Sequence, residues 1–271
     1  MANSIQLSID VKEPALKDQL IAELSNIGFD AFEENDESLQ AFINQEKYNT
    51  AQVEPLLNKH NLQFNSKVIE DQNWNAVWES NFQPVVVEDF CAIRAHFHQP
   101  FNNVVHDIVI TPKMSFGTGH HATTYQMVRE MSKINFQNKQ VADFGTGTGV
   151  LAILADKMGA AFTWAIDYDD WSIENASENI QRNSCLNIQL EKADQFQTSK
   201  TFDIIVANIN RNVILDNVPG LVKSLHKGSK LLLSGLLTQD EADIVAAFKA
   251  QRLTHLSTVE KNNWICILFE F

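Results

Sequence analysis

Residues 143–154 read Asp-Phe-Gly-Thr-Gly-Thr-Gly-Val-Leu-Ala-Ile-Leu. Three glycines, Gly145, Gly147 and Gly149, alternate with two threonines between the apolar stretch "QVADF" and a second apolar run. Lacking Cβ, such glycines admit a ligand close to the backbone, and the N-terminus of a following helix favours an anionic group. A dinucleotide fingerprint requires a small residue at position 150, where Val150 stands; the third glycine comes one place earlier, which disfavours NAD. No Gly-Lys-Ser/Thr follows, so a P-loop is excluded.

Carboxylates further along the chain narrow the ligand. "AIDYDD" supplies Asp167, placed at the end of the next strand to accept hydrogen bonds from the two hydroxyls of a ribose. "EKAD" offers Asp194 one strand later, as an acceptor for an exocyclic adenine amine. The bland alternative for such acids is helix capping, a role open to Asp169 or Asp170. Three elements in register point instead to a nucleoside with a short anionic tail, and S-adenosylmethionine fits best.

These residues need a sheet to carry them. From residue 121 onward strands alternate with helices: a helix over 122–133, "QVADF", "VLAILADKMG", "FTWAID", "WSIENASENIQRN", "IQLEKA" and "FDIIVANI". A single helix "VILDNVPGLVKSL", the strand "SKLLLSG" and the helix "TQDEADIVAAFKA" complete the series. This order predicts a doubly wound, parallel α/β sheet. "LTHLSTVEKNNWICILFEF" predicts a closing antiparallel hairpin turning at Lys261–Asn263. Ahead of it, residues 1–70 read βαββαβ, the order of a ferredoxin-like α+β sandwich, without any glycine-rich or catalytic motif. Residues 71–83 predict a linker helix in which Trp74, Trp78 and Phe82 share one face, a spacing that favours packing over ligand binding. Short strand-like pieces fill 84–112, so the second domain spans 84–271.

The chain has 271 residues, a formal net charge of −13 and three widely separated cysteines, Cys91, Cys185 and Cys266. An acidic balance disfavours nucleic acid and favours basic partners. The cysteine spacing argues against a disulfide framework or a zinc site. Neither a membrane-spanning stretch nor a secretory leader is read, so a cytoplasmic location is expected. Asp30, Glu33, Glu34, Asp36 and Glu37 crowd into eight residues, which is either a solvated turn or a docking face for a basic protein.

"MSFGTGHHATT", "DFGTGTGVLAILADKMGA", "AIDYD" and "FDIIVANI" together resemble the bacterial ribosomal protein L11 methyltransferase (PrmA) family, and the resemblance extends over nearly the whole chain. Its most specific part is Phe-Gly-Thr-Gly-x-His-x-Thr-Thr, which ordinary class I methyltransferases lack. The resemblance implies S-adenosylmethionine as cofactor and ribosomal protein L11 as substrate, methylated on its α-amine and lysine amines and held by the N-terminal domain. Thr124, Gly145, Asp167 and Asn208 are implied as cofactor contacts, with Gly147, Asp194, Phe116 and Thr118 beside them. The chain departs from the family pattern at Ala122, where proline is usual, and at Asn210, where leucine is usual. The first departure loosens a turn and the second alters the rim of the substrate pocket.

Methyl transfer to an amine requires a neutral nitrogen lone pair. About a tenth of an α-amine is neutral at pH 7, and less than about a thousandth of a lysine. A neighbouring sulfonium charge and burial both favour the neutral form, so a dedicated strong base is not obligatory. Asn208 is the candidate to orient the amine through its side-chain carbonyl. His120 and His121 are candidate bases or loop-shaping residues, and no metal site is expected. Amide and nucleobase-amine methyltransferases carry Asn/Asp-Pro-Pro-Tyr where this chain reads "ANIN". The rival readings are a cofactor-binding adaptor of ribosomal proteins without catalysis, and a methyltransferase of another basic protein.

Overall fold

A computed structural model describes residues 3–69, 83–111 and 121–271. Two compact units are present, Met1–Asn81 and Phe82–Phe271. The expected linker helix, with Trp74, Trp78 and Phe82, lies outside the described residues except for Gln83.

In the N-terminal unit, alternation along β1 (Ser4–Asp10) and β3 (Ser38–Asn44) buries Ile5, Leu7, Ile9, Leu39, Ala41 and Ile43 on one sheet face. Helix α1 (Pro14–Ser25) starts on a proline, whose missing N–H is tolerated in a first turn, and α2 (Thr50–Lys59) is capped by the Asn49 side chain. They cover that face with Leu20, Leu24, Val53 and Leu57. With β2 (Ala31–Glu34) and β4 (Phe64–Ile69) the sheet is antiparallel in the order β2-β3-β1-β4. The β2–β3 connection is an Asx turn: Asn35 Oδ1 accepts from the N–H groups of Glu37 and Ser38 at 3.1 and 2.8 Å.

The second unit opens with a small sheet, β5 (Val85–Val87), β6 (Cys91–Ala95) and β7 (His106–Ile110). Helix α3 (Ala122–Met131) follows, then β8 (Gln140–Phe144), α4 (Val150–Lys157), β9 (Phe162–Asp167), α5 (Asp170–Arg182) and β10 (Ile188–Lys192). Next come β11 (Phe202–Asn208), α6 (Arg211–Asp216), α7 (Val218–Lys223), β12 (Leu225–Leu237), α8 (Glu241–Ala250), β13 (Thr254–Lys261) and β14 (Trp264–Glu270). The seven-stranded order is β10-β9-β8-β11-β12-β14-β13, parallel except for β14, which runs antiparallel to both neighbours. Strand residues alternate between two apolar clusters: Val141, Val206 and Leu232 face one, and Ala142, Ile205 and Leu231 face the other. Burial on both faces explains the near-continuous apolar runs of the central strands.

The expected helix "VILDNVPGLVKSL" is a correction: it divides into α6 and α7 at Asn217. Pro219 cannot donate to a continuing helix. Asn217 instead serves two partners, donating from Nδ2 to the Val213 carbonyl at 2.9 Å and accepting from the Phe196 N–H at 2.7 Å. Strand β12 runs further at both ends than the expected "SKLLLSG". The closing hairpin turns through Asn262 and Asn263, both with positive φ (54° and 67°), as a two-residue turn between twisted strands requires.

Candidate active site

Strand order reverses between β8 and β11, and the glycine turn stands at that point, at the carboxyl end of β8. The Gly145 and Thr146 N–H groups both donate to the Ile166 carbonyl at 2.9 Å, which fastens the turn to β9. The Gly147 N–H donates to Asp167 Oδ2 at 2.9 Å, and the Asp169 N–H to Asp167 Oδ1 at 3.1 Å. Asp167 is thus held rigidly on β9 with lone pairs left for a ligand. Gly149 has a different task. It caps α4 with φ near 80°, and an added Cβ would lie 3.3 Å from the Ala176 Cβ, so its smallness serves helix packing.

Asp143 supports the turn from inside. Fully buried, its Oδ2 accepts from Thr146 Oγ1 at 2.6 Å and from the Ala152 N–H at 3.1 Å, while Oδ1 has no partner among the described residues. Burial pushes its carboxyl up to about 7, with the Asp167 charge adding to the rise, against the lowering effect of the two hydrogen bonds.

Above the turn lies a cavity of about 700 Å³. Of the residues predicted from sequence, Gly145, Gly147, Asp167, Asp194, Asn208 and His121 line it. Thr124 stands behind the wall, fully buried, and its Oγ1 accepts from Asn208 Nδ2 at 3.4 Å. That contact leaves the Asn208 carbonyl oxygen without a partner among the described residues. His121 Nδ1 is occupied locally, contacting Thr123 Oγ1 at 2.8 Å as it caps α3. Phe116, Thr118 and His120 lie outside the described residues.

Sequence reasoning missed several walls. Tyr168, 72% exposed, follows Asp167 and lines the cavity. Trp264 arrives from the first residue of β14, with its ring 4.6 Å from that of His121 in an edge-to-face arrangement. Ile209 lies between two glycines. A Cβ on Gly145 would strike its Cγ2, and one on Gly235 would strike its main chain. The one advance signal was Gly235 inside a strand pattern, which marks a close backbone approach.

The family model described as "Ribosomal protein L11 methyltransferase (PrmA)" matches residues 3–271. The chain belongs to the ribosomal protein L11 methyltransferase family. The Porphyromonas gingivalis protein named "Ribosomal protein L11 methyltransferase" is 38% identical over 260 residues, covering 93% of this chain and 90% of that one. The Chlorobaculum parvum protein of the same name is 36% identical, covering 99% and 96%. A solved ribosomal protein L11 methylase from Lactobacillus delbrueckii subsp. bulgaricus superposes with a TM-score of 0.65 at 28% identity, over 70% of this chain and 98% of its own. A methyltransferase from Pyrococcus furiosus shares the fold, with a TM-score of 0.52 at 18% identity over 60% of this chain and 88% of its own.

Family and fold imply S-adenosylmethionine as the methyl donor, and the residues present fit it. Asp167 has carboxylate oxygens that would accept from a ribose, Asp194 lines the same cavity as a further acceptor, and Gly145 and Gly147 bring bare backbone to it. Asn210, where the resemblance led to an expectation of leucine, lines the cavity and caps α6 through the Val213 N–H at 3.1 Å. The departure therefore serves a structural bond as well as the rim.

Proposed function

We infer that this chain transfers methyl groups from S-adenosylmethionine to the α-amine and lysine amines of ribosomal protein L11. The observation that carries the reading is one cavity lined by both Asp167, whose carboxylate is fixed by main-chain donors, and Asn208, whose buried Oδ1 has no partner among the described residues. When bound, the cofactor supplies an electrophilic methyl group and a positive charge that disfavours an ammonium beside it. Asn208 accepts an N–H from the neutral amine and so aims its lone pair. Thr124, by taking the amide Nδ2, fixes which end of Asn208 faces the acceptor. Positioning of this kind supplies much of the acceleration when no strong base is present.

Residues 1–70 act as the ferredoxin-like recognition domain, 71–83 as a linker and 84–271 as the methyltransferase domain. The antiparallel βαββαβ topology supports the first assignment. The acidic hairpin, exposed from Glu33 to Glu37, supports docking of a basic ribosomal protein. Among the described residues no helix is long and apolar enough to cross a membrane. A ribosomal-protein substrate supports a cytoplasmic reaction, and the net charge of −13 supports a basic protein over nucleic acid as partner.

The test is incubation with radiolabelled S-adenosylmethionine and unmethylated L11, followed by mass mapping. Label on L11 amines is expected, with Asn208→Ala losing at least tenfold in kcat, a larger loss than its loss in affinity for S-adenosylhomocysteine. Cofactor binding with no label on L11 would turn the reading toward an adaptor, and label on a different basic protein would reassign the substrate.

A further inference from the structure

The two acids that follow successive strands are braced in different ways. Asp167 is fixed by its own side chain, whose oxygens accept from two main-chain N–H groups. Asp194 is exposed, two residues beyond the end of β10, and among the described residues its carboxylate has neither a hydrogen bond nor an ion pair. Its place is therefore set through the main chain. On one side the Ala193 N–H donates to the Asp167 carbonyl at 2.9 Å. On the other the Phe196 N–H donates to Asn217 Oδ1, from the junction of α6 and α7, at 2.7 Å.

That second anchor stands in a partition. Asp194 and Val213 line both the main cavity and a second hollow of about 390 Å³. Side chains with open space on each side keep their separation only if their backbones are held. One amide holds both. Asn217 Oδ1 takes the Phe196 N–H, and Asn217 Nδ2 donates to the Val213 carbonyl at 2.9 Å. Turned end for end, this amide would face donor with donor and acceptor with acceptor, so its orientation is fixed. The Phe196 peptide is closely fitted around it. The Gln197 N–H returns to the Gln195 carbonyl at 3.0 Å, and the Phe196 ring packs edge-on against Phe144 and Trp164 at 5.5 and 5.4 Å. Gly220 on α7 lets the Phe196 carbonyl come close, because an added Cβ would strike its oxygen.

We propose that Asn217 is a positioning residue for the purine of the cofactor. It holds Asp194 where the carboxylate accepts from the exocyclic amine of adenine, with Val213 as an apolar wall beside it, and so makes the site prefer an aminopurine to an oxopurine. This inference rests on the reading of S-adenosylmethionine as cofactor and of Asp194 as the acceptor for its adenine amine. An ionised carboxylate has lone pairs and no proton to give, so it accepts from an amine and repels an oxo oxygen in the same place. That selection requires the carboxylate to be held at hydrogen-bond distance. A segment free to swing toward water must be ordered by each ligand, and most of the difference between the two purines is then lost.

Calorimetry with S-adenosylhomocysteine and S-inosylhomocysteine, in which an oxo group replaces the amine, tests this. The wild-type chain is expected to bind the adenosyl ligand about tenfold more tightly, because a site built to accept an N–H rejects the analogue that lacks it. Asp194→Asn presents either an acceptor or a donor, and should bind the two within about twofold of each other. Asn217→Ala should reduce the preference to about threefold or less although Asp194 is still present. A merely structural role would weaken both ligands alike, and an unchanged ratio in a folded Asn217→Ala variant would overturn the proposal. A second measurement uses the wild-type chain alone. At matched saturation, the adenosyl ligand should slow hydrogen exchange at the Phe196 amide about fivefold more than the inosyl ligand does. Equal protection by the two would also overturn the proposal. If instead the wild-type chain shows no preference, or Asp194→Asn keeps it in full, the adenine reading itself has failed and the proposal falls with it.

Discussion

Replacing Asp167 tests the cofactor assignment most directly. Its two carboxylate oxygens each accept one main-chain N–H, from Gly147 and Asp169, and the residue is only 7% exposed. The remaining lone pairs are those available to the ribose hydroxyls. Asp167→Ala removes charged acceptors from a preformed site, where hydrogen bonds to a charged group are worth about 1.5–3 kcal/mol. That corresponds to roughly a 10- to 150-fold rise in Kd for S-adenosylhomocysteine. The apparently conservative Asp167→Asn should fare no better. Both oxygens already face N–H donors, so an amide NH2 at either place meets a donor and loses a bond. Fold stability should change less than affinity, because the Gly147 N–H borders the cavity and water can replace its partner. Calorimetry on both variants, with thermal unfolding to confirm folding, measures this. A folded Asp167→Ala variant whose Kd stays within twofold of wild type would refute the assignment.

Three further outcomes are expected. Asp143 is held at about 7 by burial, whereas an unfolded aspartate titrates near 4, so between these values the unfolded chain binds fewer protons than the native one. Its contribution to stability is therefore present below about pH 4 and lost as pH rises to about 7; Asp143→Asn should flatten that part of a denaturation-versus-pH profile, and superimposable profiles would count against it. Gly228 and Gly235 both have positive φ, 87° and 83°, but an added Cβ meets open space at the first and the Ile209 main chain at the second. Gly228→Ala should cost about 1–2 kcal/mol and Gly235→Ala distinctly more, with loss of transfer activity; the reverse order in unfolding experiments would show that the Ile209 segment yields easily. Neutralising Glu33, Glu34, Asp36 and Glu37 to amides should raise KM for L11 at low salt while leaving kcat and cofactor affinity nearly unchanged. The difference should fade above ~0.15 M salt; a wild-type KM at low salt would reduce the patch to a solvated hairpin.

The local features were legible because short-range chemistry determines them. Alternating apolar residues specify β1 and β3, Pro14 and Asn49 mark helix starts, and the run of glycines after "QVADF" marks a turn that only left-handed backbone satisfies. The position of Asp167 was legible for the same reason, since it ends β9 beside the glycine turn. One helix was misread, at residues 213–225. The apolar pattern there is continuous, and the break depends on Asn217 being recruited by the Phe196 N–H, 21 positions away.

What the sequence by itself determined was therefore the two-unit order of elements, the family, the glycine turn and the acids that follow successive strands. Tertiary structure alone decided how the residues divide around the cavity. Gly149 resembles its two neighbours in sequence, yet only packing sorts them: Gly149 makes room for Ala176 and Gly145 for Ile209, while Gly145 and Gly147 line the cavity. Thr124 and Asn208 are 84 positions apart, and only the docking of α3 on the sheet makes one fix the other's amide. Trp264 stands at the cavity because the last strand returns antiparallel, which brings its first residue to the end of the sheet where the parallel strands finish. Propensity and periodicity act over a few residues, whereas these contacts arise from long loop closures that only the folded sheet brings about.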